Sequence, residues 1–152
     1  MSAKKSNFPL NAWYATAYDV EVRPALLART VCNQKLVLFR KVDGKVAVLE
    51  DPCWHRLLPL SMGRLEGDEV VCGYHGLVYN ARGRCTHMPS QETLNPSACV
   101  RSYPVLEKHR FVWVWPGDPA KADPALWARR LIDGLVAREE PAHAVVPIRQ
   151  VG

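Results

Sequence analysis

The sequence predicts an all-β fold, an antiparallel sandwich or partial barrel of short strands, with a helical tail at its C-terminal end. Short apolar segments recur at close spacing between residues 13 and 115, and several are separated by dipeptides that favour tight turns. Twelve prolines among 152 residues disfavour long helices. The 48% hydrophobic and 23% charged composition is that of a globular chain that can bury a core.

The first half of the chain contains three predicted strands. Residues 13–17 are aromatic-rich and favour a strand, whereas 24–29 favour a helical turn or a loop. The apolar runs 35–41 and 46–49 predict two more strands. Asp43-Gly44 lies between these runs and predicts a hairpin, because glycine takes positive φ without a Cβ clash.

Two more turns are predicted in the middle of the chain. Gly67-Asp68 comes before a short strand that ends at Cys72. Arg82-Gly83 joins residues 77–80 to residues 84–87 and predicts a further hairpin.

The last β segments are interrupted or strongly aromatic. Pro104 divides residues 100–106 and predicts an edge strand or two short pieces. Residues 111–115 alternate large aromatic side chains with valines, which predicts a strand buried on both faces.

A change of composition after Asp118 predicts two regions, a β domain over residues 1–118 and a tail over residues 119–152. Asp123-Pro124 has the pattern of a helix start. Trp127, Leu131 and Leu135 follow at intervals of four and predict an amphipathic helix that ends near residues 139–141. We expect its apolar face to pack on the β domain or on another subunit.

Two short segments carry one thiol and one imidazole each. Cys53-Trp54-His55 and Cys72-Gly73-Tyr74-His75 are separated by sixteen residues. Two cysteines and two histidines in two loops suit a four-ligand metal site. A zinc finger places its cysteines together and its histidines together, whereas here each loop has one of each.

This pattern resembles the Rieske signature, and the sequence on either side of it resembles the N-terminal domain of Rieske non-haem iron oxygenases. The nearest likeness is to the oxygenase components of vanillate O-demethylase and dicamba monooxygenase. The flanking matches are Asn11-Ala12-Trp13-Tyr14, His55-Arg56, Pro59-Leu60-Ser61, Gly76-Leu77 and Trp113-Val114-Trp115-Pro116-Gly117-Asp118. The likeness runs from about Asn11 to Pro124, with no match recognised from Leu126 onward.

The resemblance implies a Rieske-type antiparallel β-sandwich with a small cluster-binding subdomain. It implies a 2Fe–2S cluster in which Cys53 and Cys72 hold one iron and His55 and His75 hold the other. It also implies electron transfer from a reductase or ferredoxin to a mononuclear iron in a second domain or subunit, and homo-oligomers are common in the family. The substrates that it implies are methoxylated aromatic acids, which lose a methyl group through hydroxylation.

The mononuclear iron of the family is held by two histidines and one carboxylate. Only His143 follows His109, and no second histidine lies near it. We therefore expect no catalytic residue in this chain and electron transfer as its role. Two alternatives are a standalone Rieske ferredoxin-like carrier and a structural zinc domain.

Sequence also separates two kinds of Rieske protein. The respiratory-complex kind has an extra cysteine in each loop and a serine that donates to a bridging sulfur. Leu58, Tyr74 and Leu77 stand at these positions, so we expect a potential near the low end of the Rieske range, roughly −150 mV.

Charge, apolar runs and cysteines limit which partners and which cell compartment the sequence allows. The net charge is +5, and no basic stripe with interleaved aromatic residues predicts nucleic-acid binding. A surplus of positive charge could also steer an acidic electron donor. No apolar run has the length of a membrane span, and we expect a cytoplasmic protein. We expect no disulfides, with Cys32 and Cys99 as small core residues.

Several side chains near the loops have two interpretations. Trp54 stands where the family usually has proline, and it either shields the cluster or faces a partner. Arg56 either hydrogen-bonds within its loop or contacts a partner. Tyr74 and Tyr79 are interpreted as packing residues, and His87 and His109 as solvated side chains.

Overall fold

The computed structural model describes residues 7–127, most of which form short antiparallel strands. The strands in this part of the chain are β1 Tyr14–Tyr18, β2 Leu27–Val31, β3 Gln34–Arg40, β4 Val46–Glu50, β5 Arg64–Glu66, β6 Glu69–Val71, β7 Val78–Tyr79, β8 Cys85–His87, β9 Val105–Lys108 and β10 Phe111–Val114. They form three sheets with the strand orders β1-β10-β9, β2-β3-β4 and β5-β6-β7-β8. Every pairing is antiparallel, which confirms the predicted fold class.

The β2-β3-β4 sheet is the middle layer of the molecule. Leu36 and Leu38 on one face of β3 pack with Val112 and Val114 of β10. Val37 and Phe39 on the other face pack with residues of the four-stranded sheet. Because successive side chains of a strand point to opposite faces, a strand between two layers needs a continuous apolar run. This explains why the sequence of β3 has four successive apolar residues, Leu36 to Phe39.

The predicted hairpin turns are confirmed. Gly44 (φ +84°), Gly67 (φ +61°) and Gly83 (φ +81°) all take left-handed backbone at the turns β3–β4, β5–β6 and β7–β8. At Gly83 the surroundings also require glycine, because a Cβ there would lie 2.1 Å from the carbonyl oxygen of Val100.

Two local predictions were wrong in part. In the stretch predicted as a helical turn or a loop, residues 24–26 are a loop, but residues 27–29 belong to β2, which pairs with β3 along its whole length. In β10 the valine face is fully buried, but Phe111 and Trp113 on the aromatic face are only half-buried. The aromatic face lies at the outside of its sheet, where it meets fewer neighbours.

A cluster of tryptophans connects the end of the described chain to the β domain. Trp13 packs edge-on against Trp115, with 5.3 Å between the ring centroids, and Trp127 belongs to the same buried cluster. The Trp13 Nε1–H donates to the Asp123 carbonyl oxygen at 2.9 Å. The Asp123 carboxylate accepts from the Ala125 N–H at 2.9 Å, as expected at a helix start. The rest of the predicted helix lies outside the described residues.

None of the five cysteines forms a disulfide. Cys99 is exposed, so its prediction as a core residue was wrong, and Cys32 is half-buried. Within residues 7–127 no helix has the length and hydrophobicity that crossing a bilayer requires.

Candidate metal centre

The two segments that carry the predicted ligands fold into matching loops. Cys53 donates its N–H to the carbonyl oxygen of Leu58 (2.9 Å), and Cys72 donates to that of Leu77 (2.8 Å). The cysteine carbonyls accept from the residue four positions on, Leu57 at 2.9 Å and Gly76 at 3.2 Å. Each loop is thus closed on its own cysteine, and the histidine is carried at the tip.

Both loops need a left-handed residue just before they close. Gly76 supplies it in the second loop with φ +72°, which glycine adopts without strain. Leu57 supplies it in the first loop with φ +60°, although its side chain is 72% exposed. A left-handed conformation costs a residue with a Cβ about 1 kcal/mol or more, so the surrounding hydrogen bonds hold the first loop in a strained shape.

The two thiols lie together in the interior. Cys53 is 1% exposed and Cys72 is 3% exposed. Burial raises the pKa of the Cys72 thiol, the neighbouring Cys53 adds to the increase, and hydrogen bonds from the backbone N–H groups of Tyr74 and His75 oppose it. Such N–H groups stabilise a thiolate, which is the form that binds metal.

Tyr79 completes the sulfur side of the site. Its Oη lies 3.1 Å from the Sγ of Cys53, and the side chain is fully buried in the core. Burial raises the pKa of Tyr79 well above its usual value, and Cys53 raises it further. The phenol therefore keeps its proton and can donate it to a ligand sulfur, a role that goes beyond the packing role predicted for this residue.

The two imidazoles lie at the surface and converge. The Nδ1 atoms of His55 and His75 are 2.9 Å apart, and both side chains are exposed. Two nitrogens that share a metal ion at roughly 2.1 Å are separated by about 3 Å when the angle at the metal is near 90°. Desolvation lowers the pKa of His75, and the positive charges of His55 and Arg56 lower it further. A neutral imidazole is the form that binds metal.

The donors fall into a buried sulfur pair and an exposed nitrogen pair. A tetrahedral zinc ion takes all of its donors around one point, whereas here the sulfur pair is buried and the nitrogen pair is exposed. Two irons, one with sulfur ligands and one with nitrogen ligands, fit the division of the donors.

The other side chains at the site are mostly exposed. Trp54 is 39% exposed, so part of its ring lies at the surface beside the first loop. Arg56 lines the cleft between the loops with Tyr74. His87 is exposed at the end of β8, as predicted. Asp51, which the sequence did not single out, is buried two residues before Cys53.

Comparisons with known proteins identify the family of the chain. The model of the Rieske [2Fe-2S] domain matches residues 12–104. The chain is 49% identical over 119 residues to the iron-sulfur subunit of a toluene-4-sulfonate monooxygenase system of Comamonas testosteroni. It is 44% identical over 119 residues to a vanillate O-demethylase oxygenase subunit of a Pseudomonas strain. These alignments cover 77% and 78% of this chain but only 34% and 33% of the relatives.

A third relative extends the likeness into the tail. The oxygenase component of dicamba O-demethylase from Stenotrophomonas maltophilia is 41% identical over 140 residues, which cover 91% of this chain and 40% of the relative. An alignment of this length must continue past Leu126, so the expectation that the likeness ends there was wrong. The chain spans about a third to two fifths of the length of these relatives.

Solved structures show the same fold. A crystal structure of dicamba monooxygenase superposes with a TM-score of 0.75 at 42% identity, over 82% of this chain and 41% of that chain. The apo form of that enzyme gives the same TM-score at 44% identity over 78% of this chain and 37% of that chain.

Proposed function

Because the chain belongs to the Rieske [2Fe-2S] domain family, we propose that Cys53, Cys72, His55 and His75 hold its cluster and that the domain transfers single electrons. The donor is a reductase or ferredoxin, and the acceptor is the mononuclear iron of an aromatic-compound oxygenase. In this proposal residues 1–118 are the electron-transfer unit and residues 119–152 are a tail. Relatives named as oxygenase components of multicomponent systems support these partners.

One observation carries the proposal. The sulfur donors are buried, and the nitrogen donors meet 2.9 Å apart at the surface. An electron carrier must shield its redox centre from water and still approach its partner closely. A buried thiol pair behind an exposed imidazole pair meets both needs.

When bound, the cluster supplies a one-electron couple whose potential is raised by the two neutral ligands relative to an all-cysteine cluster. The chain sets the surroundings of this couple. Since the Nδ1 atoms of His55 and His75 face each other, the Nε2 atoms point away and can donate hydrogen bonds to an acceptor. Tyr79 can donate to Cys53, whereas Leu77 has no donor for a sulfur. We therefore propose a potential near the low end of the Rieske range, roughly −150 mV.

Metal analysis tests the ligand assignment. We expect about two irons and two acid-labile sulfides per chain, with a red-brown colour that bleaches under dithionite. Replacing His55 or His75 by alanine should abolish the cluster. The exposed His87 is a matched control, and His87→Ala should keep full iron content. Purified protein with one zinc ion and no sulfide would refute the assignment.

The role within an oxygenase is tested separately. We propose methoxylated aromatic acids as the substrate class of the partner, by analogy with the relative named for vanillate. The coding sequence beyond this chain, or just downstream of it, should then encode a carboxylate and two histidines spaced for mononuclear iron. A genomic neighbourhood without that motif would favour the standalone carrier.

A further inference from the structure

Asp51 is the only buried charged residue in the part of the chain that the structure describes, with 4% exposure. Both of its carboxylate oxygens accept hydrogen bonds from Ser61. Oδ1 accepts from the Ser61 N–H at 2.7 Å, and Oδ2 accepts from the Ser61 hydroxyl at 2.8 Å. A carboxyl group that accepts at both oxygens behaves as a carboxylate. The burial of this charge is therefore offset by a bidentate contact.

The contact closes the base of the first ligand loop. The Asp51 carbonyl oxygen accepts from the Leu60 N–H at 2.6 Å, and its N–H donates to the Lys35 carbonyl at 3.0 Å. Pro52 and Pro59 pair across the same base. The loop that carries Cys53 and His55 is thus tied at both ends to one point on β3.

The turn held by Asp51 also lies against the second loop. A Cβ on Gly63 would lie 2.0 Å from the carbonyl oxygen of Val71, directly before Cys72. A Cβ on Gly73 would lie 3.3 Å from the carbonyl oxygen of Met62. Backbone packing this close leaves the turn no room to shift without moving the second loop.

We propose that Asp51 is a positioning residue for electron transfer, one that fixes the spacing of the two ligand loops and places a buried negative charge near the cluster. The inference rests on the proposed function. The Cα atoms of residues two apart in a chain lie within about 7.6 Å of each other, so Asp51 is a close neighbour of the proposed ligand Cys53. A negative charge at this range opposes the addition of an electron and lowers the potential.

Two substitutions separate the contact from the charge. Asp51→Asn can still accept from the Ser61 N–H and can donate to the Ser61 hydroxyl, so it keeps the contact and removes the charge. Asp51→Ala removes both. Asp68→Asn and Asp68→Ala are matched controls, because the carboxylate of the half-buried Asp68 also accepts a backbone N–H, that of Val42 at 2.7 Å.

The measurements are the rate of iron loss to a chelator, the paramagnetic resonance spectrum and the reduction potential of the loaded protein. Asp51→Ala should lose iron about tenfold faster than wild type, the lower end of the cost of removing a supporting partner from a metal site. Asp51→Asn should lose iron at the wild-type rate and show a higher potential. Ser61→Ala, which removes one hydrogen bond, gives a milder form of the alanine variant and serves if that variant fails to fold.

The outcomes that overturn the inference differ from those that overturn the proposed function. Loaded Asp51→Ala or Ser61→Ala with wild-type iron loss and spectrum would refute the positioning role. Asp51→Asn with the wild-type potential would refute the role of the charge. A wild-type protein that binds no iron would overturn the proposed function, and this inference with it.

Discussion

Tyr79 allows the effect of a single hydrogen bond on the reduction potential to be measured. Its phenol lies 3.1 Å from the Cys53 sulfur, and a hydrogen bond to sulfur stabilises the more negative, reduced state. Tyr79→Phe should therefore lower the potential. A net hydrogen-bond contribution of about 1 kcal/mol corresponds to about 40 mV for one electron.

Redox titration of the loaded protein measures this shift. Tyr103→Phe is the control, because Tyr103 is a buried tyrosine whose hydroxyl donates to Gln34 at 2.8 Å in a different core cluster. An equal potential in wild type and Tyr79→Phe would show that the phenol does not act on the sulfur.

Tyr103 also makes stability depend on pH. Burial raises the pKa of Tyr103, the Glu50 carboxylate raises it further, and the Arg101 guanidinium partly opposes the increase. The folded state therefore holds the phenolic proton more tightly than the unfolded state, whose tyrosine titrates near pH 10. The contribution is fully present below about pH 10 and is lost as the pH rises further.

Urea unfolding at pH 8 and at pH 10.5 tests this sign. The free energy of unfolding of the wild type should fall between the two values, and that of Tyr103→Phe should fall less. Parallel losses in both proteins would mean that other groups control the alkaline limit.

At the scale of elements, the turn over residues 60–63 packs closely against the backbone just before Cys72. Gly63→Ala would place a methyl group 2.0 Å from the backbone oxygen of Val71, and neither backbone can yield without moving a ligand loop. We expect a loss of at least about 3 kcal/mol, in the range of severe core overpacking. Gly44→Ala is the control, since nothing lies within 4 Å of its Cβ position.

Gly44→Ala should lose only about 1 kcal/mol, the cost of left-handed backbone at φ +84°. Denaturant titration of both variants measures the difference. Similar losses would show that the close approach at Gly63 is relieved by small movements.

Elements with strong local signals could be predicted from the sequence. The apolar run of β3, the Asp43-Gly44 turn and the strand before Cys72 lie close to where the patterns placed them. β2 was missed because it is an edge strand in which half-buried and exposed residues alternate up to the buried Val31. Its turn uses Cys32 (φ +50°) and Asn33 (φ +62°) in place of the glycine that marks such turns most clearly.

The candidate site shows the same contrast. Spacing singled out Cys53, His55, Cys72 and His75 as candidate ligands, because residues on short loops are close in sequence. The contacts that support them join residues far apart, such as Tyr79 to Cys53 across 26 positions. Such contacts depend on how the sheets stack, and no local sequence pattern predicts them.

At the scale of the whole molecule, three stacked sheets place both predicted ligand loops on one side of the middle sheet. The middle sheet packs on the β1-β10-β9 sheet through one face and on the β5-β6-β7-β8 sheet through the other. Both ligand loops are thereby fixed to the same core, which includes Cys53 and Cys72 themselves. This arrangement supports a centre that moves little when its charge changes, a property that speeds electron transfer.

Electron paramagnetic resonance of the dithionite-reduced protein tests the central claim most directly. Mixed histidine and cysteine ligation should give a signal whose average g value lies below that of an all-cysteine 2Fe–2S cluster. The signal should vanish in His55→Ala and His75→Ala and persist in His87→Ala. A silent spectrum from colourless protein, or an average g value of the all-cysteine kind, would contradict the assignment of two unlike irons to these loops.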